Sequence, residues 1–148
     1  MKTLLVYYSY HHGNTKKVAE VLAGELSADL ADLKNGMPSG VEQYDLIGVG
    51  SGIYMGGFHE EAKRFLQQAP LRGKRVFLFC TSGMGVLPSA KTKALREESG
   101  AIAASEFGCK GFDTYSIFNL VRGIAKGHPN EEDLASARAF AAKLRDGD

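Results

Sequence analysis

The sequence predicts an α/β fold, a three-layer sandwich in which helices cover both faces of a five-stranded parallel sheet. Short, continuous apolar runs alternate along the chain with segments whose apolar residues have helical spacing. Continuous apolar strands are typical of parallel sheets that are buried on both faces. The length of 148 residues fits one domain. We therefore expect residues 1–148 to form a single unit.

The elements follow in a regular order. Apolar runs predict strands at residues 3–8, 28–33, 45–51, 74–81 and 102–112. Apolar residues three and four positions apart predict helices at residues 15–26, 60–69 and 90–99 and in a final segment after Asn130. Asn130 is a favourable N-cap for that last helix, and Asp133 follows three residues later. The sequence shows no linker, no internal repeat and no low-complexity segment.

Composition and charge exclude several classes of protein. With 44% hydrophobic and 24% charged residues the chain has the composition of an ordinary globular protein, not of a disordered or coiled-coil one. Eighteen Lys and Arg against 17 Asp and Glu give a formal charge of +1, so no attraction to nucleic acid is expected. The first apolar run is too short for a signal peptide, and we expect no membrane span and a cytoplasmic protein.

The cysteines and histidines predict neither a disulfide framework nor a metal site. Cys80 and Cys109 are too few for such a framework, and we expect both to be small buried thiols. The pair His11 and His12 has no third ligand in register, so we predict no metal site there.

The loop after the first strand has the composition of an anion-binding site. It runs from Ser9 to Thr15 and contains hydroxyls, a glycine and an asparagine at the start of a helix. Backbone N–H groups at a helix start bind anions, and a glycine lets the chain turn tightly. No Gly-Lys-Ser/Thr sequence follows, which excludes a Walker A loop. The alternative is a plain turn followed by an N-cap at Asn14 or Thr15.

Two more glycine-rich loops follow the third and fourth strands, at residues 51–58 and 81–85. Glycines interleaved with Tyr54 and Met84 suit a flat ring held between two loops. Each loop alone could be an ordinary turn, but the carboxyl ends of parallel strands share one sheet edge, where such folds bind ligands. We therefore expect a ligand site at this edge.

Two other interpretations of these loops are not favoured. The run Gly48-x-Gly50-x-Gly52 lacks the spacing of a dinucleotide fingerprint and lies on the wrong strand. A phospho-accepting receiver domain needs an acidic cluster after the first strand and an Asp at the end of the third. Ser9–His12 and Ser51 stand at those places.

At these loops the sequence resembles the flavodoxin family. Leu4–Ser9 followed by Gly13–Ala19 is similar to the strand, phosphate loop and helix that open the family's fold, and the other two loops fall where its flavin-cradling loops fall. The resemblance covers nearly the whole chain. It implies the strand order 2-1-3-4-5 and non-covalent FMN at the switch point between the first and third strands.

The resemblance also implies which residues bind FMN. The phosphate would be bound by Ser9, His11, His12, Gly13, Asn14 and Thr15. The ribityl chain and one side of the ring would contact Ser51, Gly52, Ile53 and Tyr54, and the other side Thr81, Ser82, Gly83, Met84 and Gly85. The Gly56–Gly57 peptide would turn its carbonyl toward flavin N5 after one-electron reduction. No catalytic side chain and no metal ligand is implied.

The function implied is that of an FMN-binding electron carrier that passes one or two electrons between redox partners. The chain departs from the family in its near-neutral charge, in a phosphate loop one residue longer, and in a second ring loop without an aromatic residue. We therefore expect Tyr54, or an aromatic residue from elsewhere in the chain, to stack on the flavin. His59 is interpreted as a helix cap, with a proton donor near the ring as the alternative.

Two other functions remain open on the same fold. The first is an FMN-dependent NAD(P)H:quinone-type oxidoreductase with a small quinone-like acceptor. It is favoured by the charge balance and by the apolar segment Ser116–Gly127, in which Phe118 and Val121 could cover a site or a partner. The alternative for this segment is a loop at the strand edge that packs on the core. The second is a flavin-free interaction module.

Overall fold

The computed structural model describes residues 2–9, 13–111 and 127–147, and parallel strands alternate with helices through them. The strands are β1 (Thr3–Tyr8), β2 (Asp29–Asp32), β3 (Leu46–Tyr54), β4 (Gly57–Phe58), β5 (Arg75–Ser82) and β6 (Ile102–Lys110). The helices are α1 (Asn14–Leu26), α2 (Glu60–Gln68), α3 (Ala90–Glu98) and α4 (Glu131–Arg145). None of these helices is long and apolar enough to cross a membrane.

The sheet has the predicted topology. Its parallel strands lie in the order β2-β1-β3-β5-β6, which is 2-1-3-4-5 when the short β4 is not counted. β4 is a correction to the predicted five strands, because it pairs antiparallel with the end of β3 and makes a hairpin of a segment predicted as a loop. Two residues, one of them glycine, are too short a strand to leave a periodic signal in the sequence.

Helices cover both faces of the sheet. Leu5 and Tyr7 of β1 pack with α1 and α4 on one face, and Leu4 and Val6 pack on the other with the core residues of α2. Alternate side chains of a strand point to opposite faces, so a continuous apolar strand buries residues on both. This burial confirms the predicted three-layer sandwich.

Two glycines of β3 make room for aromatic rings on β5. Gly48 is paired in register with Phe77, and Gly50 with Phe79. A Cβ built on either glycine would lie within 3.0 Å of the facing ring. Both phenylalanines are fully buried between the sheet and the α1 and α4 layer. The glycine run of β3 is therefore a packing feature of the core.

An ion pair holds α3 against β6. Arg96 is buried, and its Nη2 lies 2.8 Å from Oε2 of Glu106. Nη1 of the same side chain donates to the carbonyl oxygens of Val76 and Ser105, at 3.2 Å each. The pairing of β5 with β6 shifts register between Val76 and Leu78. Arg96 thus occupies the irregular place in this ladder.

Capping residues set the helix boundaries. Asn130 and Asp133 form a reciprocal capping box at the start of α4, as predicted for Asn130. α1 begins at Asn14, one residue earlier than predicted, and its N-cap is Gly13 at φ +63°, which takes the place of the predicted Asn14 or Thr15. The predicted segment Ser116–Gly127 lies outside the described residues except for its last glycine.

Candidate functional site

The loops that follow β1, β3 and β5 lie together at the carboxyl edge of the sheet. Tyr8 at the end of β1 is in register with Ser51, and Gly52 is in register with Thr81. β1 has β2 on one side and β3 on the other, so this edge contains the topological switch point. The structure therefore brings the three predicted groups of site residues together. His11 and His12 lie outside the described residues.

The first loop presents buried hydroxyls and a helix N-terminus. Ser9, Asn14 and Thr15 are all buried. Oγ of Ser9 accepts the backbone N–H of Lys16 at 3.2 Å, so the hydroxyl keeps its own proton for an acceptor. The first turn of α1 contains no acidic residue, and its N-cap Gly13 has no side chain with which to cap it. Such a helix start is electrostatically suited to an anion.

A hydroxyl pair joins the first loop to the third. Oγ1 of Thr15 lies 2.9 Å from Oγ1 of Thr81, and both side chains are buried. One hydroxyl donates to the other, which leaves one proton of the pair for a further acceptor. This bond links the start of α1 to the end of β5.

The side chain of Ser51 bonds to the backbone on both sides of the second loop. Its side chain is fully buried, its Oγ donates to the carbonyl oxygen of Gly52 at 2.6 Å, and it accepts the backbone N–H of His59 at 2.9 Å. The Ser51 proton is thereby engaged inside the protein, so any contact with a ligand would be made as an acceptor. Ile53 packs against the core on the α2 side and is in register with Phe58 of β4.

The β3–β4 hairpin ends in a two-residue turn with positive φ at both positions. Met55 has φ +50° and Gly56 has φ +84°, the pattern of a type I′ turn. Methionine in the left-handed region costs on the order of 1 kcal/mol. Its side chain is 92% exposed, so packing does not offset that strain. Strained residues of this kind gather at functional sites.

His59 joins three elements at the base of this hairpin. Its ring stacks on Tyr8 with centroids 3.6 Å apart and an interplanar angle of 6°, and it meets Tyr54 edge-on at 5.4 Å and 80°. Nδ1 accepts the backbone N–H of Glu61 at 3.1 Å, which gives the helix cap predicted for this residue. Partial burial lowers the pKa of His59 below 6.5, although Glu61 and Glu60 oppose the shift.

Sequence reasoning missed the part played by Tyr8. Its position in the sequence predicts only the end of the first strand, yet the imidazole of His59 stacks on its half-buried ring. Nζ of Lys34 also lies 5.7 Å from the Tyr8 ring centroid. The one available signal was the position of an aromatic residue at the last place of a strand that leads into the site.

The third loop is held by Ser82 and exposes apolar side chains. Oγ of Ser82 accepts the N–H of Val86 at 3.1 Å, and its carbonyl accepts the N–H of Gly111 at 2.9 Å. Gly83 is buried, and Gly85 takes φ +68° beside Lys110. The Met84 side chain is 70% exposed. Like Met55, it stands at the tip of a loop on this edge.

The two cysteines lie in the core, and Sγ of Cys80 donates to the carbonyl oxygen of Val86 in the third loop at 3.2 Å. Both are free and buried, as predicted, and they belong to core clusters on opposite faces of the sheet. Burial raises the pKa of Cys80 and that of Cys109 to about 12, so both are thiols at neutral pH. Among the described residues, no group of three or more His, Cys, Asp or Glu side chains is arranged to hold a metal ion.

The parallel sheet has the strand order 2-1-3-4-5, a helix begins after its first strand, and glycine-rich loops follow the next two central strands. These features together define the flavodoxin-like class. The chain belongs to the flavodoxin domain family, whose model matches residues 5–112. It is 43% identical over 147 residues to an uncharacterized protein of Methanocaldococcus jannaschii, an alignment that covers 97% of this chain and 98% of that protein.

Two solved structures illustrate the similarity of fold. A flavodoxin from the domain Archaea has a TM-score of 0.73 at 14% identity, covering 97% of this chain and 96% of its own. A flavoprotein from Lactobacillus acidophilus in complex with FMN has a TM-score of 0.56 at 24% identity, covering 70% of this chain and 90% of its own. At these identities the likeness concerns the fold.

Proposed function

We propose that this protein binds FMN at the switch point between β1 and β3 and carries one or two electrons between redox partners. The observation that carries the proposal is the joining of the three loops at one edge, with buried hydroxyls at an N-terminus of α1 that contains no acid. A similar fold holds FMN in the Lactobacillus acidophilus flavoprotein. When bound, FMN would supply the one- and two-electron chemistry.

The first loop fits the phosphate group. Ser9 has a proton to donate because its Oγ already accepts from Lys16, and the Thr15–Thr81 pair has another. Gly13 and Asn14 add backbone N–H groups at the helix start, where the dipole favours negative charge. With His11 and His12 these residues would make up the phosphate site. Lys16 and Lys17 are exposed beside it and add positive charge.

The second and third loops fit the ring. Ser51, Gly52, Ile53 and Tyr54 would contact the ribityl chain and one side of the isoalloxazine. Thr81, Ser82, Gly83, Met84 and Gly85 would line the other side and keep water from it. A Cβ built on Gly52 would lie 3.2 Å from Oη of Tyr54, so the glycine makes room for the tyrosine ring. The Gly56–Gly57 peptide, just after the turn, is the one we assign to the flavin N5 position.

A second function, FMN-dependent NAD(P)H:quinone-type oxidoreduction, is favoured by the exposed apolar side chains at this edge. Met55 and Met84 are both exposed there, and apolar side chains suit a small apolar acceptor better than a charged protein surface. In the first function the partner is a redox protein, and in the second it is a quinone-like molecule.

The test is the visible spectrum of the purified protein, followed by FMN titration of the apoprotein and reductive titration of the complex. We expect flavin absorbance and tight FMN binding. A colourless protein that FMN does not load would overturn the proposal. Rapid reduction of the bound flavin by NAD(P)H, with turnover of a quinone, would replace the carrier function by the oxidoreductase.

A further inference from the structure

We propose that His59 is a positioning residue of the flavin site, whose neutral imidazole sets the orientation of Tyr54 and of the β3–β4 hairpin and whose protonation weakens flavin binding. The effect on flavin rests on the function proposed above. The underlying coupling between His59 and Tyr54 concerns the protein alone and can be tested without any ligand.

His59 contacts the ends of β1 and β3, the two strands that border the site. Its ring lies flat on Tyr8, the last residue of β1, and against the edge of Tyr54, the last residue of β3. Its backbone N–H is held by Ser51, which also holds the carbonyl of Gly52. A movement of this one imidazole would therefore reach both tyrosines and the hairpin.

The cap fixes the tautomer and makes it sensitive to protonation. Nδ1 accepts the N–H of Glu61, so the neutral ring carries its proton on Nε2. A proton on Nδ1 would point an N–H group at the N–H of Glu61. Two donors would then face each other, and the cap would be lost. The positive end of the α2 dipole also disfavours a cation there.

Two carboxylates beside His59 favour its protonated form, but a cation pairs with each of them. Glu60 and Glu61 favour the cation, but Glu60 pairs with Lys63 at 3.4 Å and Glu61 with Arg64 at 2.7 Å, which weakens their pull. Nζ of Lys34 lies 5.7 Å from the centroid of the Tyr8 ring on which His59 stacks. Partial burial lowers the pKa of His59, in agreement with a ring kept neutral for positioning.

The first experiment uses the apoprotein and NMR. Ring signals of His59, Tyr8 and Tyr54 are followed between about pH 8 and pH 5. We expect the Tyr54 signals to shift with the same midpoint as the His59 ring, and to lose this shift in His59→Asn. Tyr54 signals that do not change as His59 titrates would overturn the proposal. This result does not depend on whether the protein binds FMN.

The second experiment measures binding of FMN and of riboflavin against pH for the wild type, His59→Asn, His59→Phe and His128→Asn. Asparagine is a good N-cap but lacks the ring, whereas phenylalanine keeps a ring without the cap. Riboflavin has no phosphate, so its affinity is free of the phosphate's own ionisation near pH 6. His128 is the matched control, since it lies at the start of α4 and pairs with Asp133.

We expect wild-type riboflavin affinity to fall about fivefold or more as His59 becomes protonated, the lower end of ordinary coupling between two sites. His59→Asn should bind about fivefold more weakly at neutral pH and show no such fall, while His128→Asn keeps it. His59→Phe should retain the neutral-pH affinity better than His59→Asn, because it keeps a ring between the tyrosines. If His59→Asn binds like the wild type at every pH, His59 is only a helix cap and the proposal is wrong.

Discussion

The hydroxyl of Thr15 lies 2.9 Å from that of Thr81, and both side chains are buried. This bond links the start of α1 to the end of β5, and each of the two loops supplies one hydroxyl. The two loops are therefore held at one spacing before any ligand arrives. Preorganisation of this kind reduces the cost of ordering a site on binding.

The first prediction concerns this pair. Thr15→Val or Thr81→Val leaves the other hydroxyl buried without its partner, which costs about 1–3 kcal/mol. The double variant replaces both hydroxyls by methyl groups, so it should be less destabilised than the sum of the single ones. Urea unfolding of the apoproteins measures all three. Additive effects would show that the two hydroxyls do not interact.

The second prediction contrasts two glycines. Gly50→Ala places a Cβ against the Phe79 ring and should destabilise the protein by about 1–3 kcal/mol, as overpacking does. Gly24 lies exposed in α1 with nothing within 4 Å of a built Cβ, so Gly24→Ala should stabilise it by about 0.5–1 kcal/mol. Thermal or urea unfolding decides both. A stable Gly50→Ala protein would contradict the packing role of the β3 glycines.

These cases also show what the sequence alone can predict. β1, β5 and α4 are predictable because local patterns indicate their burial. The two strands are continuous apolar runs, and the helix has apolar residues at helical spacing after a cap. Relationships across strands leave no such pattern. The fit of Gly50 to Phe79 depends on the register between β3 and β5, and sequence spacing does not contain that register.

The candidate site follows the same division. Strand-end loops and their glycines are visible in the sequence, and so the site's place in the sheet was predictable. The stacking of His59 on Tyr8 was not, because it joins the last residue of β1 to the N-cap of α2, which meet only through the fold. The sequence does not predict the type I′ turn, because methionine is a poor residue for positive φ and Met55 stands at the first turn position.

The third prediction concerns thiol chemistry. The pKa of Cys80 and that of Cys109 are raised to about 12 by burial, so at about pH 8 the thiolate fraction is on the order of one in ten thousand. Both cysteines should resist a thiol-specific reagent in the native protein and react once it is unfolded in guanidinium. Rapid labelling of either one under native conditions would show that it is more accessible than the fold implies.

The fourth prediction is the pH dependence of apoprotein stability. The pKa of His59 is lower in the folded protein than its ordinary value of 6.5, so the unfolded chain binds the proton more readily. The contribution of His59 to stability is therefore fully present above about pH 6.5 and decreases as the pH falls below it. His59→Asn should remove this part of the pH dependence, measured as the difference between its urea midpoints and those of the wild type. Parallel curves for the two proteins would contradict the assignment.

The last prediction tests the peptide assigned to flavin N5. Gly57 does not adopt positive φ, and a Cβ built there makes only ordinary contact with Lys63, so Gly57→Val should fold. The β-branched side chain restricts rotation of the Gly56–Gly57 peptide. If that peptide turns toward the reduced flavin, the one-electron potentials should shift by tens of millivolts, since about 59 mV corresponds to a tenfold change in relative affinity. Redox titration of the variant measures this, with Gly24→Ala as the control that leaves the potentials unchanged. Unchanged potentials in Gly57→Val, with FMN still bound, would assign the N5 contact to another group.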